Sequence, residues 1–312
     1  MTVSLLTQAQ HGNIRALSQL ITAIESHDKD SLNLHSAVYD ARKGAPILGI
    51  TGPPGAGKSS LTDRLIHRYR KQGERVGIVA IDPSSHFTGG AILGDRIRMM
   101  SHASDPGVFI RSLGTRGSHG GLSRATQDIV ACLDAAGFDR IIVETVGVGQ
   151  TELDIARIAD TTLIVLVPEA GDVVQTMKAG LFEVADLFVI NKSDRGGGEN
   201  LSTALQGQMA LDEKAWQVPV LLASALKDEG IEGILEQIEA HRAFARDNHD
   251  YHTMREMLRR ELFFDLLSDE IASRMRQKIA HDKHLSQLLE HYVHEGRNPY
   301  GLLAKLLESI VP

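Results

Sequence analysis

Hydrophobic positions near the start of the chain recur at helical spacing. Ile14, Leu17, Leu20, Ile21 and Ile24 form one stripe, a polar stretch runs through Ser31, and a second short helical stretch surrounds Val38. From Ile47 the period changes. Short β-rich runs at 47–51, 76–82, 108–110, 140–144, 161–167, 187–191 and 218–224 alternate with amphipathic helical patterns. Such alternation predicts crossover connections, a mainly parallel sheet with helices on both faces, and ligand binding beyond the carboxyl ends of the strands. After about Asp250 the β signal stops. The segment 254–275 carries Met257, Leu258, Leu262, Phe263, Phe264, Leu266, Leu267 and Ile271, too much apolar surface for a single stripe, which points to an oligomer contact. Asn298 and Pro299 read as the cap and first turn of a last helix that buries Leu302, Leu303, Leu306, Leu307 and Ile310. The expected division is a helical N-terminal extension over 1–45, an α/β domain over 46–248 and a helical dimerisation arm over 249–312.

Composition narrows the function. The 312 residues carry a net charge of −7, which argues against nucleic acid or an anionic membrane as the main partner. With no long apolar run and no charged-then-apolar leader, the chain reads as soluble, untargeted and cytoplasmic. The single cysteine, Cys132, shares a helical stripe with Leu122, Ala125, Ile129, Leu133 and Ala136 and reads as core. His281, His284, His291 and His294 lack acidic or cysteine partners at metal-ligand spacing and read as exposed helix positions.

The strongest chemical signal follows the first β run. Gly52-Pro53-Pro54-Gly55-Ala56-Gly57-Lys58-Ser59-Ser60 opens a helix with Leu61, Leu65, Ile66 and Tyr69 inward, which is a P-loop in its strand–loop–helix context. Its glycines let backbone N–H groups converge on phosphates, and the helix N-terminus adds a favourable dipole. Lys58 is expected to bridge β- and γ-phosphate oxygens and the Ser59 hydroxyl to ligate Mg²⁺.

A P-loop alone does not choose between ATP and GTP. The run 187–190 ends in Asn191-Lys192-Ser193-Asp194, which matches the guanine-recognition motif of GTPases. Guanine presents two donors, N1–H and an exocyclic amine, that the Asp194 carboxylate accepts together. Adenine has an acceptor at N1 and leaves that carboxylate unpaired. Asn191 is expected to contact the base or to tie its loop to the P-loop, and the Lys192 stem to cover one face of the base. Ser224-Ala225-Leu226-Lys227, ending the next strand, fits the loop that completes the base pocket. Near the strand 140–144, Glu144 precedes Gly147, a glycine placed to bond a γ-phosphate. Most GTPases have Asp where Glu144 stands, and the longer carboxylate reaches Mg²⁺ through a water.

The stretch 82–99 (DPSSHFTGGAILGDRIRM), with 115–117 (TRG), Gly120 and Gly121, 144–150 (ETVGVGQ) and 170–172 (AGD), resembles the MeaB/ArgK family of homodimeric P-loop GTPases. That family is of the same broad class as the signal-recognition-particle and nickel-insertion GTPases, and the resemblance covers nearly the whole chain. It implies a GTP/GDP-cycling chaperone that gates cofactor loading and protects an adenosylcobalamin-dependent acyl-CoA mutase of the methylmalonyl-CoA mutase type, with an adenosyltransferase as a further candidate partner. By the resemblance, Asp82 and Asp95 belong to the first switch and the Mg²⁺ shell, with Asp82 orienting the attacking water. Residues 144 to 150, ending at Gln150, form the second switch. Residues 169–178, including Asp172 and Lys178, form a third switch that reports nucleotide state to the partner. Val173, Val174 and Thr176 depart from the family pattern there. Two other functions remain open at this point: an ATPase or kinase linked to lysine, arginine and ornithine transport, the family's older name, and a metal-insertion GTPase.

Overall fold

The computed structural model describes residues 2–25, 31–82, 102, 104–114, 121–145, 155–170, 180–209, 215–296, 299–301 and 303–304. Among them, seven strands form one sheet: β1 (Ile47–Thr51), β2 (Val76–Asp82), β3 (Val108–Gly114), β4 (Arg140–Thr145), β5 (Thr161–Leu166), β6 (Leu187–Ile190) and β7 (Val220–Leu222). Their order is β3-β2-β4-β1-β5-β6-β7, and every pairing is parallel. The strand carrying the P-loop therefore lies at the centre, flanked by β4 and β5. Its register places Ile50 beside Glu144, so the acidic end of β4 emerges next to the start of the loop.

The apolar runs predicted from the sequence are the strands observed, with shifted ends. β3 continues past Ile110 to Gly114 because its whole length pairs with β2, from Val76↔Val108 to Asp82↔Gly114. β7 is an edge strand, bonded only to β6 and half exposed, and is shorter than its hydrophobic run.

One face of the sheet is covered by α5 (Gly121–Ala135) and, outside it, by α1 (Thr2–Gln10), α2 (Ile14–Glu25) and α3 (Ser31–Asp40). Leu17, Leu20, Ile21, Ile24 and Val38 are buried in one cluster with Ile129, Leu133 and Cys132. Burial of each large aliphatic side chain contributes about 1.5–3 kcal/mol, which fastens the N-terminal layer to the sheet. Burial also pushes the Cys132 thiol pKa up, so the group stays protonated and packs as a small hydrophobe. Asp134 adds a polar latch. Fully buried, it accepts hydrogen bonds from Arg42 Nε and from the backbone N–H groups of Lys43, Gly44 and Ala45, which fixes the approach to β1.

The other face carries α4 (Lys58–Lys71) and α8 (Ile231–Asp247), with Leu61, Leu65, Ile66, Ile231, Ile234 and Ile238 in a second cluster. Back on the face that carries α5, farther along the sheet, α6 (Gly180–Val184) and α7 (Gly198–Met209) pack over Ile164, Leu166, Phe188 and Ile190 of β5 and β6 through Phe182, Leu201 and Leu205.

The chain divides into two compact units, 1–248 and 249–312. The second contains α9 (His249–His281) and α10 (Lys283–Glu295), separated by Asp282, whose carboxylate caps α10 by accepting from the N–H groups of His284 and Leu285. His281, His284, His291 and His294 are exposed. The proposed last helix from Asn298 falls largely outside the described residues. No helix among the described residues is long and apolar enough to cross a membrane.

Candidate nucleotide site

The P-loop leaves β1 through two positions that only glycine fills. Gly52 has φ 137°, and a Cβ there would lie 2.1 Å from the Val165 carbonyl oxygen on β5. Gly57, the N-cap of α4, has φ 87°, and its Cβ would lie 2.3 Å from Asn191 Nδ2. Between them, Pro54 and Gly55 are exposed, Pro53 is half-buried and Ala56 is buried. The Lys58 ammonium, itself buried, donates to the carbonyls of Gly52 (2.8 Å) and Pro53 (3.0 Å), which holds it over the loop. Ser60 is exposed on the first turn of α4.

Ser59 and Glu144 meet beneath the loop. The Ser59 hydroxyl donates to Glu144 Oε1 at 2.6 Å, and the Thr62 hydroxyl donates to Glu144 Oε2 at 2.8 Å. Glu144 is buried, and a carboxylate taken from water is tolerable only when its oxygens are bonded in this way. The Ser59 proton is spent on the carboxylate, so its lone pairs are what the hydroxyl offers to a ligand. A hydroxyl and a carboxylate oxygen at the N-terminus of the P-loop helix form a hard oxygen donor set that suits Mg²⁺ completed by phosphate oxygens and water. Beside them, the Thr145 hydroxyl donates to that of Thr51 at 2.8 Å, which ties the ends of β4 and β1 together.

The residues expected at the base gather around Asn191. Its Nδ2 donates to the Ala56 carbonyl at 2.8 Å, and its Oδ1 accepts from the Ala225 N–H at 3.0 Å. Of the two roles open for Asn191 in the sequence, the structure displays the tie: it joins the P-loop to the loop after β7. Lys192 takes a left-handed backbone conformation (φ 59°) and its ammonium donates to the Gly55 carbonyl. Asp194 is exposed, and its Oδ1 accepts from the Ser224 hydroxyl at 2.7 Å. That hydrogen bond holds the Asp194 pKa below the usual carboxylate range, so the group is ionised at neutral pH. Ser224 and Ala225 are buried, while Leu226 is the exposed tip of the turn.

Three side chains at this site escape a reading of motifs. Thr62 is one. The others are Arg64 and Arg68, one turn apart on α4. Arg64 Nε donates to the Ala225 carbonyl at 2.9 Å, and Arg68 bonds Asp228 (2.8 Å) and Glu232 (2.7 Å). The partners are distant in sequence, and only the helical spacing of the two arginines hinted that they share a face. Asp82 ends β2, and its side chain lies outside the described residues. Asp95, Gly147, Gln150, Asp172, Val173, Val174, Thr176 and Lys178 lie outside them entirely.

Known proteins resemble the chain over most of its length. A Pyrococcus abyssi protein named as a GTPase is 42% identical over 100% of this chain and 97% of its own length. A segment making up 21% of the fused isobutyryl-CoA mutase of Cupriavidus metallidurans is 41% identical over 70% of this chain. Among solved structures, an LAO/AO transport system kinase superposes with a TM-score of 0.71 at 27% identity, covering 100% of this chain and 98% of that one. The family model described as "Methylmalonyl Co-A mutase-associated GTPase MeaB" matches residues 17–280. A P-loop, an Asn-Lys-Ser-Asp loop and a buried acidic strand end on a parallel sheet thus coincide with a match over most of the sequence, and the chain belongs to the MeaB family of GTPases.

Proposed function

We propose that this GTPase is a nucleotide-driven chaperone of an adenosylcobalamin-dependent acyl-CoA mutase, gating cofactor loading and protecting the loaded enzyme. The observation that carries the reading is the Cupriavidus relative, in which one polypeptide joins a segment like this chain to a mutase. Fusion keeps two activities at high effective concentration, which has value when they act on one another. The family description, which names methylmalonyl-CoA mutase, supports the same class of client. An adenosyltransferase that supplies the cofactor is a further candidate partner, and the cytoplasm is the expected compartment.

In this reading the nucleotide is GTP or GDP. Lys58 would lie along the β- and γ-phosphate oxygens, the backbone N–H groups of 55–60 would cradle them in the loop shaped by Gly52, Pro53 and Pro54, and Asn191, Lys192, Asp194 and the loop of Ser224, Ala225 and Leu226 would enclose the base. Ser59 and Glu144 would hold Mg²⁺, with Asp82 and Asp95 from the first switch. When bound, the ion supplies neutralisation of the phosphate charge. Asp82 would orient a water toward the γ-phosphorus; the water's oxygen bonds to phosphorus as the bond from phosphorus to the β–γ bridging oxygen breaks, the electron pair stays on GDP and the water's proton leaves on the phosphate or to solvent. Gly147 and Gln150 follow the γ-phosphate, while Asp172 and Lys178 carry the state to the partner.

A chaperone cycle requires that the client distinguish the two nucleotide states, because a partner with equal affinity for both shifts nothing. Binding of purified mutase to the chain loaded with a non-hydrolysable GTP analogue or with GDP, measured by calorimetry, is expected to differ by roughly 5- to 150-fold. Equal affinities would sink the reading.

The helix α9 is proposed as the homodimer contact. It exposes Met254, Met257, Phe263, Phe264, Leu267 and Ile271, more apolar surface than a solvated helix carries. The double variant Phe263→Glu/Phe264→Glu is expected to be monomeric by light scattering with its nucleotide binding retained. A stable dimer would place the contact elsewhere.

A further inference from the structure

The carboxylate of Glu144 is held by two hydroxyls from one helix. Ser59 and Thr62 stand three residues apart on α4, the spacing that puts side chains on one face, and that face meets the end of β4. Each hydroxyl takes a different oxygen: Ser59 takes Oε1 and Thr62 takes Oε2. With both oxygens engaged, the broad terminal torsion of the glutamate is fixed together with the rest of the side chain. Aspartate, the usual residue at this strand end, has one torsion fewer to fix and a shorter reach. A glutamate in its place needs an additional restraint, and Thr62 provides one.

The plainer account makes Thr62 a buried hydroxyl that happens to be satisfied. Its surroundings argue otherwise. A threonine inside a helix has an acceptor close at hand in the carbonyl one turn back, and many use it. Thr62 instead spends its single proton on a carboxylate 82 residues away, from a position with no solvent exposure.

We propose that Thr62 is a positioning residue for the divalent cation of the nucleotide site. By fixing Oε2 it orients Oε1 and, through it, the Ser59 hydroxyl, whose lone pairs would then be turned to the cation. The proposal rests on the reading of Ser59 and Glu144 as the holders of Mg²⁺. Partners that orient a metal's ligands without touching the metal typically matter by about 10- to 100-fold in its affinity.

The test uses the full chain and the Mg²⁺ dependence of fluorescent GDP release, with Mn²⁺ binding to the GDP complex followed by electron paramagnetic resonance. Thr62→Val keeps the shape and loses the hydroxyl, and is expected to raise the Mg²⁺ concentration for half-maximal GDP retention by about tenfold or more and to weaken Mn²⁺ binding in parallel. Thr62→Ser, which keeps the hydroxyl, is expected to stay within about twofold of the parent, a rescue that a purely packing role would not produce. If Thr62→Val does not fold, Thr62→Ala carries the same expectation. In a Glu144→Asp background the shift caused by Thr62→Val is expected to vanish, because the shorter carboxylate cannot span both hydroxyls. A Thr62→Val protein with a lowered melting temperature and the parental Mg²⁺ midpoint would overturn the proposal. If Ser59→Ala moves that midpoint and Thr62→Val does not, the proposal alone fails. If GDP release from the parent ignores Mg²⁺, the reading of Ser59 and Glu144 fails with it.

Discussion

Asp194→Ala is expected to collapse the discrimination between GTP and ATP, from about 10⁴-fold to within about tenfold. The carboxylate stands at the exposed edge of the loop after β6, ionised and oriented by the Ser224 hydroxyl. In the proposed reading it would accept two donors from guanine, whereas adenine would face it with a lone pair and give it no donor in exchange for water. A site built on such a pair rejects the wrong base because the cost of the unmade hydrogen bond is paid in full. Alanine removes both the reward for guanine and the penalty for adenine. Competition of the two nucleotides for the variant, read by calorimetry, checks this directly; undiminished discrimination would show that base selection lies elsewhere than the 191–194 loop.

Lys58→Ala is expected to lower GTP hydrolysis by about 10²- to 10³-fold and to weaken nucleotide binding as well. The ammonium is buried against the carbonyls of Gly52 and Pro53, so it lies over the loop before any phosphate arrives and needs little reorganisation. Preorganised charge of this kind accounts for most of what a protein does in phosphoryl transfer, where the chemistry is positioning and neutralisation. The circular dichroism spectrum of the Lys58→Ala protein, expected to match the parent's, separates a lost charge from a lost fold. Parental turnover in that variant would remove Lys58 from the mechanism.

What the sequence announced was local. The P-loop and the Asn191 motif were legible because each is a contiguous run whose residue types answer one chemical need, and the strands because a parallel sheet buries both of their faces. Strand order was not legible: nothing in the residues 47–51 says that 140–145 will pair on one side and 161–166 on the other. The extension of β3 through Arg111 and Ser112 shows pairing along β2 overriding weak β-preference. Thr62 and Arg64 were hidden for a related reason. Thr62 reads as an ordinary helix residue, and Arg64 as a solvated charge, until the fold brings Glu144 and Ala225 to them.

Arg64 and Arg68 give the site a property beyond its contact list. The helix that opens at the P-loop also straps down the turn after β7, through the Ala225 carbonyl and Asp228, and the start of α8, through Glu232. If the nucleotide sits as proposed, phosphate and base are gripped by parts of one body, so that seating either end delivers the other at high local concentration. Binding then takes on the character of chelation: a nucleoside or a pyrophosphate alone captures far less than its share, and an end that lets go by itself is recaptured while the other still holds.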